Sequence, residues 1–207
     1  MLHGQTISLF YKDAPKHYLG YVKENKTPVI LIPGLLEKWG CIKFLGDKIS
    51  LAGHPVYIIP KLGNNVIDIP SSANIVQAMI EEKDIKNAVI VAHSKGGLIG
   101  KYLLSFLNPD MRVKRMISIS TPYSGSSLVR FLPGKYSKEL RTDSDMIKQL
   151  QTHKEVNDKI ISIAPKFDNH VQEGCYLEGA TNITVNEKGH HKIIHSKEMI
   201  DLIFTYL

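Results

Sequence analysis

The sequence predicts an α/β protein built on a doubly wound, mainly parallel sheet. Three observations predict it. Apolar runs such as "PVILIPG", "PVYIIP" and "NAVIVA" show no polar alternation, the pattern of strands buried on both faces. Amphipathic stretches of helical length separate them. No repeat, low-complexity tract or linker divides the 207 residues, so 1–207 is expected to be one domain.

The elements follow in order. "PVILIPG" is a strand ending at Pro33-Gly34. "CIKFLGDKISLAG" then sets Cys41, Phe44, Leu45, Ile49 and Ala52 at helical spacing and stops at Gly53. "PVYIIP" is the second strand, and "SSANIVQAMIEE" a helix capped by Ser71 or Ser72, with Ile75, Val76, Met79 and Ile80 on one face. "NAVIVA" is the third strand, followed by a helix over Lys95 to Leu107, and "VKRMISIS" the next. About 40 less regular residues follow, and within them 124–157 is expected to form a short cap or lid. "KIISIA" and "NITVN" are late strands. "SKEMIDLIFTYL" closes the chain as a helix with Met199, Ile200, Ile203, Phe204 and Leu207 inward. Near the start, "TISLFY" and "YLGYV" are read as an edge hairpin.

Composition narrows the function. The net charge of +6 is scattered, with no dense basic run and no aromatic-interleaved motif, which argues against a nucleic-acid partner. Cys41 and Cys175 have no metal-ligand spacing and are read as free, buried thiols. No apolar core follows a basic start at the N-terminus, and no run reaches the ~20 apolar residues of a membrane span. A cytoplasmic protein is the expectation.

The chemistry points to Ser94. In an open parallel sheet, ligands bind beyond the carboxyl ends of strands, and Ser94 follows one. A turn running straight from strand into helix forces its middle residue into strained angles and demands small neighbours two before and two after. "AHSKG" supplies Ala92 and Gly96. A serine hydroxyl is a weak nucleophile near neutral pH, so it needs a base, a carboxylate to orient that base, and oxyanion donors. Asp168, just past "KIISIA", and His190, just past "NITVN", stand where the crevice should be. His191 and His195 are rival bases, and Asp143, Asp145 and Asp158 rival acids that follow no clear strand. Zinc held by His191 and His195 is disfavoured because no Glu completes a zinc helix motif. His170 is read as a loop residue. The Lys95 N–H supplies one oxyanion donor and the Leu35 N–H, first past Gly34, the other.

"VILIPGLLEKWG", "VAHSKGGL", "ISISTPYSGSSL", "DNHV" and "GATNITVNEKGHHKIIHS" occur in the order of the landmarks of α/β-hydrolase-fold serine lipases and esterases. Between Pro28 and the end, the chain resembles small bacterial-type lipases and related acyl hydrolases. It departs from them at Pro33, where His is common, and at Ala92, where Gly is usual. The first departure makes Leu36 an alternative oxyanion donor.

The resemblance implies Ser94 as nucleophile, Asp168 as acid and His190 as base, acting through an acyl-enzyme on a lipid or other acyl ester. It also implies that Leu36, Thr121 and Tyr123 touch substrate, with a purely structural turn as the alternative for Thr121 and Tyr123. No cofactor or metal is needed, since every reacting group is protein, and no protein partner is implied. Leu128, Val129, Phe131 and Leu132, with Arg130, Lys135 and Lys138, either pack onto the domain or form an acyl-binding wall or a contact with a membrane surface. Acyltransfer and thioester cleavage by the same triad are the near alternatives. A non-catalytic binding protein on this scaffold is the distant one.

Overall fold

The computed structural model describes residues 13–132 and 134–207. Among the described residues six strands form one parallel sheet: β1 (Val29–Ile32), β2 (Val56–Tyr57), β3 (Ala88–His93), β4 (Val113–Ile119), β5 (Ile160–Phe167) and β6 (Thr181–Lys188). Their order is β2-β1-β3-β4-β5-β6. The helices are α1 (His17–Gly20), α2 (Lys43–Leu51), α3 (Ile69–Glu82), α4 (Lys95–Phe106), α5 (Asp145–Thr152) and α6 (Lys197–Tyr206).

Strand alternation divides the apolar side chains between two cores. Ile30, Ile32, Ile90 and Ala92 pack with α3, α4 and α5 on one face. Val29, Leu31, Val89 and Val91 pack with α1, α2 and α6 on the other. Covering both faces is what makes the strand runs continuously apolar. β6, at the edge, buries only Val185.

The order fixes where a site can form. From β1 the chain steps outward to β2, then crosses back to β3 on the other side of β1. The crevice of such a sheet opens where the winding reverses, at the carboxyl ends of β1 and β3. Leu36 after β1, Ser94 after β3 and Ser120 after β4 all have positive φ, at 59°, 51° and 53°. Such strain in non-glycine residues costs about 1–3 kcal/mol each and gathers at functional sites.

Several local expectations are corrected. "TISLFY" lies outside the described residues, but "YLGYV" is no strand: α1 sinks Tyr18 against α2, with its hydroxyl donating to Lys43 O at 3.3 Å. α3 starts earlier than Ser71, because the Asp68 carboxylate accepts the Ser71 N–H at 2.7 Å and Pro70 fits the first turn. In α6 Met199 and Ile203 are inward, whereas Phe204 is exposed. Residues 124–157 hold two 3-10 turns and the amphipathic α5, capped by Ser144, whose Ile147 and Leu150 join the core. Cys175 is a buried free thiol, and Cys41 is half-buried. No helix among the described residues is long and apolar enough to cross a membrane.

Candidate active site

Ser94 occupies the turn between β3 and α4 with φ 51° and ψ −123°. The tightness of the turn explains Gly96: a Cβ there would overlap the carbonyl oxygens of Ile32 and Pro33. Gly97 is equally confined, by Thr121. Lys95 begins α4, so its N–H has no intrahelical acceptor.

The loops after β5 and β6 bring Asp168 and His190 together. His190 Nδ1 lies 2.9 and 3.0 Å from the two Asp168 oxygens, so it donates and the carboxylate accepts. Asp168 Oδ1 also accepts the N–H groups of His170 and Val171 at 2.8 and 3.0 Å. Burial opposes its ionisation, but the hydrogen bonds and charge of His190 and these amides prevail and hold it at about 2. For His190 burial dominates, aided by the positive fields of His93 and His191, and outweighs Asp168, lowering its pKa to about 4. The imidazole is therefore neutral at ordinary pH, with Nε2 bearing the lone pair. No protein partner is paired with Nε2 among the described residues.

Ser94 and His190 both line one cavity of about 740 Å³. Its wall includes Ser94, His190, His191 and His195, with Leu35, Leu36, Leu128, Val129, Leu132 and Ile194 supplying apolar surface. In the loop after β1, the Glu37 N–H donates to Gly34 O at 3.3 Å, folding Leu35 and Leu36 into a turn at the rim.

Two expected substrate contacts are corrected. Tyr123 is buried, and its hydroxyl donates to Ser118 Oγ at 2.7 Å; its aromatic bulk stabilises the core instead. Thr121 is also buried, and its hydroxyl donates to Ser94 O at 3.1 Å, bracing the turn from below. The rival acids Asp143, Asp145 and Asp158 do not line the cavity. His170 is more than a loop residue: its ring sits 4.7 Å from that of His190 and lines the same cavity.

Sequence reasoning missed Glu37 and His93. Glu37 is 4% exposed and accepts from Gly34 N at 2.7 Å, His93 Nδ1 at 3.0 Å and His191 Nε2 at 2.9 Å. His93 is fully buried, and its Nε2 meets His190 O at 3.1 Å. It missed the Lys95 side chain too, which is buried and donates to Asn65 O at 3.1 Å and to Ile67 O. A lone Glu inside an apolar loop was the one available signal for this network.

Solved structures share the architecture. The mature lipase BlEst2 of Bacillus licheniformis matches with a TM-score of 0.72 at 15% identity, over 90% of this chain and 94% of its own. Lipase B of Aspergillus fumigatus matches at 0.71 and 19% identity, over 89% of this chain and 53% of that one. A monoacylglycerol lipase of Paleococcus ferrophilus matches at 0.62 and 15% identity, over 88% and 97%. In sequence, the Mycoplasma pneumoniae protein named "Putative esterase/lipase 3" is 37% identical over 59 residues, covering 28% of this chain and 21% of that relative. No protein-family model matches the chain. The protein has the α/β-hydrolase fold.

Proposed function

We propose that the protein is a serine hydrolase of carboxylic esters, with Ser94 as nucleophile, His190 as base and Asp168 as the acid that orients it. The Asp168–His190 pair carries this reading, because it leaves a neutral Nε2 in the cavity that Ser94 also lines.

In the first step Nε2 takes the Ser94 hydroxyl proton while Oγ bonds to the ester carbonyl carbon. The carbonyl electron pair moves onto oxygen, where the N–H of Lys95 and that of Leu35 or Leu36 receive it. Each such donor is worth roughly a hundred- to a thousandfold in rate. The C–O bond to the alcohol then breaks, and the alcohol oxygen takes the proton from His190. Water repeats the sequence on the acyl-enzyme and frees the acid. Asp168 holds Nδ1–H throughout and steadies the imidazolium that forms. Activity should rise with pH through about 4, where His190 gives up its second proton and Nε2 becomes free to act as base.

The apolar wall of Leu35, Leu36, Leu128, Val129, Leu132 and Ile194 suits an acyl chain. Phe131, 74% exposed beside Leu132 and with Arg130 over its ring at 5.2 Å, gives the 124–157 segment a surface for lipid contact. Flotation with anionic vesicles checks that contact, and Phe131→Ser should abolish it.

A fluorophosphonate probe tests the reading directly. It should label the native protein and not Ser94→Ala, which should also lose hydrolysis of short p-nitrophenyl esters at an unchanged melting temperature. Full activity in Ser94→Ala overturns the assignment.

A further inference from the structure

His93 stands between the candidate nucleophile and two loops, and both of its ring nitrogens face acceptors. Nδ1 lies 3.0 Å from the Glu37 carboxylate, and Nε2 lies 3.1 Å from the backbone carbonyl of His190. Neither a carboxylate nor a carbonyl can donate, and a neutral imidazole carries only one N–H. In the neutral form one of these contacts would set lone pair against lone pair inside a dry interior. With both nitrogens protonated, both contacts become hydrogen bonds, and the charge is matched by Glu37.

We propose that His93 is held as a buried imidazolium that acts, with Glu37, as a positioning residue, fastening the loop of the oxyanion donors to the loop that carries His190. This rests on the ester-hydrolase reading for its kinetic consequences, but not for the charge state.

The bonds trace a continuous path. The Gly34 N–H donates to Glu37 Oε2 at 2.7 Å, which fixes the loop on which Leu35 and Leu36 stand. Glu37 then accepts from His93, whose far nitrogen donates to the main chain of His190 itself. His191 Nε2 closes a second link to Glu37 Oε1 at 2.9 Å. A single carboxylate thus ties the ends of β1, β3 and β6, and His93 is the member that spans them.

The groups facing His93 are Glu37 from the loop after β1, His190 and His191 from the loop after β6, and Asp168 and His170 from the loop after β5. Burial works against the charge on His93, but the Glu37 carboxylate and the two hydrogen bonds outweigh it and raise its pKa. The same bonds and charges hold the Glu37 carboxyl well below the usual carboxylate range despite its burial.

The positive ring also sits 4.8 Å from that of His190. It disfavours a second proton there and so helps keep the base free. Deprotonating His93 at alkaline pH must release either Glu37 or the His190 carbonyl. Turnover should then fall more than substrate affinity, because the loops lose their register while the apolar wall remains.

Two measurements on the full chain test this. In nitrogen-15 spectra of histidine-labelled native protein at neutral pH, His93 should show protons on both ring nitrogens; a singly protonated ring overturns the charge assignment whether or not the protein is an esterase. In Glu37→Gln, kcat on a short p-nitrophenyl ester should fall about ten- to a hundredfold with KM within about threefold, and the alkaline limb of kcat should move to lower pH. A folded Glu37→Gln matching the native profile at every pH overturns the positioning role and leaves the Ser94 reading standing. Failure of the fluorophosphonate probe on native protein would overturn that reading instead.

Discussion

Two histidine–carboxylate pairs flank Ser94, and they differ in what the second nitrogen faces. In the Asp168–His190 pair, Nδ1 donates to the carboxylate and Nε2 is left to the cavity. In the Glu37–His93 pair, Nδ1 again meets a carboxylate, but Nε2 meets a carbonyl oxygen. The first ring is driven neutral, to about 4, and the second is driven toward its charged form. A carboxylate neighbour alone therefore does not set a histidine's charge. The partner of the other nitrogen, with the depth of burial, decides it. A neutral ring with a free lone pair can take a proton; a ring bonded at both ends can only brace.

The sharpest way to break the comparison is Asp168→Asn. An amide can hold the other tautomer of His190, so kcat should fall by about ten-thousandfold with little change in melting temperature. Retention of most activity would move the base to His191, whose carboxylate is Glu37. Next comes the acid limb of kcat/KM in native protein. It should fall about tenfold per pH unit below the His190 value of about 4, and a midpoint near 6.5 would contradict a desolvated base.

Stability separates the pairs by sign. His190 takes up a proton less readily when folded, so its influence is to lower stability as pH falls from about 6.5 toward 4. His93 takes one up more readily, so its contribution is complete below about 6.5 and disappears as pH rises through its higher folded value. Melting temperatures against pH should accordingly lose their acid-side slope in His190→Gln and their alkaline-side slope in His93→Gln. The smallest effect belongs to Thr121→Val, outside both pairs. Losing its bond to Ser94 O should cost about 1 kcal/mol of stability and reduce kcat only a few-fold.

Much of this molecule was legible in its sequence. Val29–Ile32, Ala88–His93 and Ile160–Phe167 are strands because both their faces are covered, and unbroken apolar runs report that directly. Ser94 and Asp168 drew notice as candidates because each follows such a run closely, and His190 because it follows the edge strand β6. α5 was not, since only Met146, Ile147 and Leu150 mark its apolar side amid polar neighbours. Nor was the fate of Tyr123, whose proximity to a strand end is equally compatible with facing the crevice or the core. Glu37 reads as a solvated loop residue until the fold supplies His93 and His191 from 56 and 154 positions away. Long-range polar pairing has no local signature, which is why the Glu37 network was invisible while Asp168 and His190, each close behind a strand, were not.

The buried ammonium of Lys95 has a chemical consequence of its own. It belongs to the residue directly after Ser94, and burial lowers its pKa to about 8, so a sizeable share would be free amine in mildly alkaline solution. A free amine beside an activated ester ordinarily attacks it and forms a permanent amide. Here the nitrogen is directed to the carbonyls of Asn65 and Ile67 and does not line the cavity, so an acyl group carried on Ser94, as proposed, would be shielded from it.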